Sequence, residues 1–257
     1  MFTLNNKAPK SVSITYDANG TPTTKEALMV YNNTGIIYHK PTSTVASDFT
    51  GCKIMHVSGD LYSLMEWRVA DFYPVEAIGV ALGDGTNATG HRFCVTRKFM
   101  SNTASLPTQF TPTNTYLIPY DDPDLPHSMT TVTTYAKAII DFNGKENTLA
   151  LLDAIARGDV AGSNVAQYCT RIYSPWGEPA YIPSAGQMQM MLDNATDLNA
   201  CLSEIQGDAF ETTSAEYYWT STQYAANAMW VKSANMNLQA NKAASGNNYK
   251  ALPVFDY

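Results

Sequence analysis

The hydrophobic period changes twice along this chain, and that change restricts what it can fold into. Up to about residue 99, apolar residues recur at every second position or in short runs bounded by turn residues. Between residues 165 and 205 they recur every three or four positions, and from Tyr217 onward the period returns to two. Period two marks a strand and period 3.6 a helix. A run of strands, then helices, then strands is the order of an α+β fold rather than of alternating βα units. With 257 residues, 45% of them hydrophobic, the chain has enough material for one large core or two small ones.

The first strands are predicted at Ser11–Tyr16, Ala27–Tyr31, Gly35–Tyr38 and Cys52–Val57. Asp17-Ala18-Asn19-Gly20 punctuates them as a turn. Residues 1–68 therefore read as a small β-rich module. Val75–Leu82 and Arg92–Thr96 flank Gly83-Asp84-Gly85 and read as a hairpin, with those glycines in the turn rather than around a phosphate. Residues 101–127, rich in Thr, Pro, Asn and Asp, read as a long surface loop. Asp121, Asp122 and Asp124 lie in it, but without the glycine and terminal glutamate of a calcium loop, and prolines interrupt them.

The helical stretch carries two apolar stripes at i, i+3, i+4 and i+7: Val165, Tyr168, Cys169 and Ile172, then Leu198, Cys201, Leu202 and Ile205. Between them Ser184-Ala185-Gly186-Gln187 has the form of a capping box. The serine hydroxyl accepts from the third helical N–H, and the glutamine reaches back to the serine N–H. Met188, Met191 and Leu192 form the apolar stripe that follows. Cys52, Cys94, Cys169 and Cys201 are too far apart for a C-x-x-C pair, and the four histidines are scattered. They read as buried free thiols, with no cofactor and no metal.

Charge excludes one class of partner. Lys and Arg total 16 against 23 Asp and Glu, a net charge of −7, and only 15% of residues are charged. Phosphate neutralisation needs clustered cations, so nucleic acid is not expected as a partner. No apolar run approaches the roughly 18 residues of a membrane span, so membrane insertion is not expected either. The N-terminal Met-Phe-Thr-Leu-Asn-Asn-Lys lacks the apolar stretch of a secretory signal, which points to assembly in the cytoplasm.

The C-terminal strands carry the most unusual pattern. Met236, Leu238 and Ala240 alternate with Asn235, Asn237, Gln239 and Asn241. On a strand this places the amides on one outward face and the apolar set inside. Asn is depleted in strands, so the row is either a plain polar surface or a hydrogen-bonding recognition face. Trp219 reads as core. Trp230 reads as core or as a binding anchor, and by alternation Lys232 shares its inward face.

Several segments together resemble a known family. They are Asn147-Thr148, Ala166-Gln167-Tyr168-Cys169, Ala180–Met188, Tyr218-Trp219-Thr220-Ser221-Thr222-Gln223-Tyr224, Trp230 and Leu252-Pro253-Val254, in that order. The set is similar to the C-type-lectin-like domain common in gut bacteria and their phages, over roughly residues 70–257. There a helix opens with an "LPSAGEL"-like motif, a "YWSSTEY"-like strand follows, and an "RPV"-like motif lies near the end. Here Leu252 replaces the arginine, and Tyr181 stands where a Trp-Tyr pair is usual. The calcium-dependent sugar motifs Glu-Pro-Asn, Gln-Pro-Asp and Trp-Asn-Asp do not occur.

The resemblance implies a C-type-lectin-like fold at 69–257: twisted antiparallel sheets with two or three helices, behind the anchoring or oligomerising module 1–68. The family includes the variable proteins of diversity-generating retroelements, in which template adenines are randomised and Asn codons become Ala, Ser, Tyr, Thr or Asp. Residues 222–250 have that composition. The implied ligand-binding set is Tyr224, Ala225, Ala226, Asn227, Trp230, Asn235, Asn237, Gln239, Asn241, Ser245, Asn247, Asn248 and Tyr249. Tyr, Ser and Asn are also favoured in antibody paratopes. The implied function is non-enzymatic: receptor binding by a phage tail or virion protein, with a protein or glycan on a bacterial cell surface as partner. A homo-oligomer such as a trimer is expected, located in the virion or at the cell exterior. The alternatives are a structural virion protein and an enzyme of the formylglycine-generating type. No catalytic constellation supports the last.

Overall fold

The computed structural model describes residues 52–56, 61–62, 77–83, 91–101, 109–112, 117–119, 124–174, 176–244 and 248–257. The strands predicted before residue 52, Asp121, Asp122, Ser245 and Asn247 lie outside these. In chain order the elements are β1 (Lys53–His56), β2 (Leu61–Tyr62), β3 (Ala77–Leu82), β4 (Phe93–Thr96), β5 (Met100–Ser101), α1 (Tyr135–Ala138), α2 (Gly144–Ala156), α3 (Asn164–Cys169), α4 (Ala185–Asp193), α5 (Ala195–Glu204), β6 (Tyr217–Ala225), β7 (Ala228–Lys232), β8 (Leu238–Asn241), β9 (Tyr249–Ala251) and β10 (Val254–Phe255). The protein is α+β, with antiparallel and mixed sheets. It has five helices among the described residues where two or three were expected, two of them only 4 and 6 residues long.

Two compact units form, one from residues 1–97, 196–209 and 257, the other from 98–195 and 210–256. In the first, β4, β3, β1 and β2 lie side by side, each pair antiparallel. Leu82 faces Phe93 and Val80 faces Val95, so the two predicted strands pair antiparallel; the turn at Asp84-Gly85 lies outside the described residues. Ile54, Met55, Val80, Ala81, Leu82, Phe93, Cys94 and Val95 are all buried, so both faces of β3 and β4 are covered. β1 pairs with β3, which makes one sheet of residues on both sides of the expected boundary after residue 68. The stripe Leu198, Cys201, Leu202 and Ile205 is buried, as its spacing predicts.

In the second unit the strand order is β5-β9-β6-β7-β8. β9 is antiparallel to β5 and parallel to β6, with Tyr217 opposite Tyr249. Trp219 is fully buried among Phe110, Val165, Ala166, Cys169, Leu151, Met229 and Val231. Its ring stacks on Tyr249 at 5.1 Å and tilts against Phe110 at 5.7 Å. The predicted helix at Val165–Ile172 is the short α3, which ends at Cys169. The longer α2 carries buried Gly144, Asn147, Thr148, Leu151 and Ala154 on one face.

The capping box at α4 is formed. Ser184 Oγ accepts from the Gln187 N–H, and Gln187 Oε1 accepts from the Ser184 N–H at 2.9 Å. Ser184 Oγ–H also donates to the Asp141 carbonyl at 2.6 Å. Asp141, itself buried, gathers the region. Its carboxylate accepts from Thr222 Oγ1 at 2.5 Å, Asn147 Nδ2 at 3.0 Å, Thr130 Oγ1 at 3.1 Å and the Asn143 N–H at 2.9 Å. Gly186 fits because a Cβ there would lie 2.4 Å from the Asp141 carbonyl oxygen.

Candidate recognition face

β6 turns into β7 through Ala226 and Asn227, with Ala225 opposite Ala228. β7 then pairs with β8: Ala228 faces Asn241, Met229 faces Ala240, Trp230 faces Gln239 and Val231 faces Leu238. Residues directly opposite in an antiparallel pair share a face. Met229, Val231 and Ala240 therefore lie on the side that joins the core, while Trp230, Gln239 and Asn241 lie on the other.

Asn227, Asn235, Asn237, Gln239 and Asn241 are all exposed. Only Gln239 and Asn241 owe this to strand alternation. Residues 233–237 bend instead, closed by the Ser233 N–H donating to the Asn235 carbonyl at 2.9 Å. Two amides are braced by their own loops. Asn235 Oδ1 accepts from the Asn237 N–H, and Asn241 Oδ1 accepts from the Ala243 N–H, each at 3.2 Å. Their carboxamide N–H groups point away from these bonds.

Leu238 corrects the sequence reading. It shares the inner face with Ala240, but it sits on the edge strand, opposite Val231, where the core no longer covers it, and it is 40% exposed. Met236 is fully buried as expected, although it lies on the bend and not on a strand.

The aromatic anchors are a second correction. Trp230 is 2% exposed, and its Nε1–H donates to the Val132 carbonyl at 2.8 Å. A buried ring with its one donor used has nothing to offer a ligand. Tyr224 is half-buried and packs edge-on against Trp230 at 5.5 Å. Tyr249 is half-buried between Tyr217 and Trp219, both ring centres 5.1 Å away. Burial raises its hydroxyl above the usual tyrosine range, and the neighbouring Tyr217 adds to this. Asn248 is half-buried, and its carbonyl accepts from the Tyr217 N–H at 2.6 Å. β9 is separated from β8 by two strands, a distance on the order of 14 Å at the usual strand spacing. Asn248 and Tyr249 are thus not contiguous with the amide row. Ala225 and Ala226 are half-buried beside Asn227.

The expected variable stretch 222–250 also contains positions that hold the fold. Besides its bond to Asp141, Thr222 Oγ1 accepts from the Ala185 N–H at 2.8 Å. Gln223 is fully buried. Its Oε1 accepts from the Ile118 N–H at 3.1 Å and from the Lys242 ammonium, and its Nε2 donates to the Ile118 carbonyl and Thr131 Oγ1. Lys242 is 1% exposed, and burial lowers its amine to about 7. Sequence reasoning missed this pair, because a lysine among Asn, Ala and Ser reads as surface.

Lys232 shares the face of Trp230, as alternation predicts, and is fully buried. Its ammonium donates to the Glu211 carbonyl and lies over the rings of Phe210 and Tyr218. Burial lowers it to about 8, against the opposing pull of Glu211 and Glu216. Tyr218 Oη donates to Glu216 Oε2 and accepts from the Glu211 N–H, each at 3.0 Å, and burial pushes its pKa well up.

The four cysteines are buried and none is in a disulfide. Burial raises Cys52, Cys94 and Cys169 above the ordinary thiol range. Among the described residues no group of three His, Cys, Asp or Glu side chains is placed to hold a metal, and no helix is long and apolar enough to cross a membrane.

No family model matches the chain. No curated protein matches it either. Among solved structures it is similar to a fimbrial protein from Bacteroides ovatus ATCC 8483, with a TM-score of 0.56 and 14% identity. The match covers 80% of this chain and 48% of the other, so the chain spans about half the length of that neighbour. At that identity the likeness concerns the fold alone.

Proposed function

We propose that the protein is a non-enzymatic binder that recognises its partner through the β7–β8 hairpin and the bend before β8. The observation that carries this is the row Asn227, Asn235, Asn237, Gln239 and Asn241, exposed together with Leu238. The hairpin and bend that carry them also hold Met229, Trp230, Val231 and Met236, all buried. Adaptable polar groups and one apolar contact on a rigid support are what a recognition surface requires. Leu238, on the other face of β8, adds an exposed apolar contact at the edge of the hairpin.

The wider reading is a C-type-lectin-like domain of a phage tail or virion protein, diversified by a retroelement at the exposed positions within 222–250. It acts as a homo-oligomer on a protein or glycan of a bacterial surface. The ordered motifs Ala180–Met188 and Tyr218–Tyr224 support it, since the capping box and the buried Trp219 occupy structural places a diversified scaffold must keep fixed. A second reading is a subunit of a fimbria, favoured by the likeness to a protein named as fimbrial.

The test is cell binding. The full chain, fluorescently labelled, is applied to a panel of gut bacterial strains. Asn235, Asn237, Gln239 and Asn241 are then replaced together by Ala. Loss of binding with an unchanged melting temperature is the expected result. Binding that survives in the quadruple variant and in Leu238→Asp overturns the assignment of this face.

A further inference from the structure

The outer edge of β8 is open. β8 is the last strand of its sheet, and Leu238-Gln239-Ala240-Asn241 pair on one side with β7. It has no second neighbour among the described residues. In an antiparallel pair, opposite residues alternate between those that exchange backbone hydrogen bonds and those that turn theirs outward.

Two bonds fix which residues of β8 turn outward. The Lys242 N–H donates to the Asn227 carbonyl at 3.0 Å, so the positions bonded to β7 are 240 and 238. The Trp230 carbonyl accepts from Thr220 Oγ1 of β6 at 2.7 Å, so it faces β6 and not its opposite residue, Gln239. The backbone N–H and C=O of Gln239 and the N–H of Asn241 therefore point off the sheet. The Asn241 carbonyl accepts from the Ala244 N–H at 2.8 Å, which leaves it a second lone pair.

An open edge is a template for another strand, and proteins blunt it with charge, proline or a bulge. β8 has no charged residue and no proline, and its register with β7 is unbroken. Its surroundings are neutral too. From Gln223 to Ala244 the charged residues are Lys232 and Lys242, and both are buried. Gln109 and Thr111, which bond to the Ala243 and Lys242 carbonyls beyond the end of the strand, are uncharged. A chain of net charge −7 thus presents an edge at which a second copy meets no like charge.

We propose that β8 pairs antiparallel with β8 of a second copy, joining two five-stranded sheets into one. The strand is self-complementary in this arrangement. With the two-fold axis at Ala240, Gln239 of each copy lies opposite Asn241 of the other, and their outward N–H and C=O groups meet. The Gln239 and Asn241 side chains share a face and become neighbours across the axis, where carboxamides both donate and accept. On the opposite face Ala240 meets Ala240, small enough for close approach. Each Leu238, 40% exposed in the single chain, gains cover from Ala240 of the second copy. The pairing rests on the edge alone. Its consequence rests on the recognition reading: the amide row of one copy continues into that of the other, so a doubled face engages its target twice.

Sedimentation velocity of the full chain over about a hundredfold range of concentration tests this. The expected result is a monomer–dimer equilibrium that changes little with salt, because no ion pair is involved. Gln239→Pro removes an N–H that the fold does not use, and Gln239→Lys puts a charge on the edge of each copy. Each weakens the dimer about tenfold or more and leaves the melting temperature unchanged at the monomeric end of the range. Ala240→Pro removes a bond to β7 and lowers that melting temperature. A dimer that binds no bacterial cells supports the pairing and removes only the recognition reading. The pairing is overturned if the chain stays monomeric at the highest concentration, or if the dimer survives both Gln239→Pro and Gln239→Lys undiminished.

Discussion

The Lys232 ammonium lies 5.0 Å from the centre of the Tyr218 ring, directly across the β6–β7 pair, and 5.1 Å from that of Phe210. Two ring faces attract the cation, yet burial still lowers its pKa to about 8. The charge is tolerated rather than favoured, and stability must depend on pH.

The sign follows from proton binding. Lys232 and Lys242 have folded values of about 8 and 7, below the ordinary 10.5. Between the folded and ordinary values the unfolded chain binds more protons, so stability rises with pH. Tyr218 acts oppositely once pH passes its ordinary value of 10, because its folded pKa is raised. The buried thiols of Cys52, Cys94 and Cys169, raised above their ordinary value of 9, act in the same direction as Tyr218 and from lower pH, so the melting temperature is expected to climb from about pH 7 to about pH 9 and then fall. Lys242→Met, in which Gln223 keeps its bond to the Ile118 N–H, flattens the lower part of that climb. A flat profile in the parent would show that neither amine is desolvated.

At the amide face, replacing Asn235, Asn237, Gln239 or Asn241 singly by Ala changes stability by no more than about 0.5 kcal/mol. Leu238→Ala belongs with them because its side chain is 40% exposed. Met236→Ala, fully buried, costs about 2–5 kcal/mol through lost burial and the cavity left behind. Urea denaturation of the six variants separates the two groups.

Ser184→Ala removes a cap and a donor to the Asp141 carbonyl, and is expected to cost about 1–2 kcal/mol. Gly186→Ala costs more, since its Cβ meets the Asp141 carbonyl oxygen at 2.4 Å and backbone must move. Equal midpoints for the two variants in a denaturant titration would contradict this packing.

Asp141→Ala strands the donors of Thr222, Asn147, Thr130 and Asn143 in a largely buried place, at an expected cost of about 3–5 kcal/mol. Thr222→Val removes a single donor and costs less. Thermal melts of the two in parallel give the ratio.

What the sequence made legible was local. The capping box, the β3–β4 hairpin and the stripe from Leu198 to Ile205 each rest on spacing within one element. The expected strand at 235–241 is a bend followed by a four-residue strand, because a turn at Ser233 resets the alternation. The exposure of Leu238 depends on where the core ends across the sheet, and no local pattern records that. α2 was visible in principle: Asn147, Leu151 and Ala154 follow helical spacing. The buried Asn147 and Thr148 dilute the apolar signal, since their polarity is spent on Asp141, Thr130, Gly144 and Ile182. The open edge of β8 follows from strand order in the folded sheet, so no single stretch announces it.

β9 lies between β5 and β6, pairing Ala251 with Met100 on one side and Tyr249 with Tyr217 on the other. A chain emerging from the ribosome presents β5 long before its partner exists. Until residues 249–251 have left the exit tunnel, β5 has no neighbour in this sheet and β6 has an open edge. The second unit is thus expected to close only once residues 249–251 have emerged, with β6–β7–β8 forming first as a locally connected meander. Its slow step is the capture of a short strand far along the chain from β5, and the edge of β6 that awaits β9 is the stretch most exposed to association with other chains in the interval.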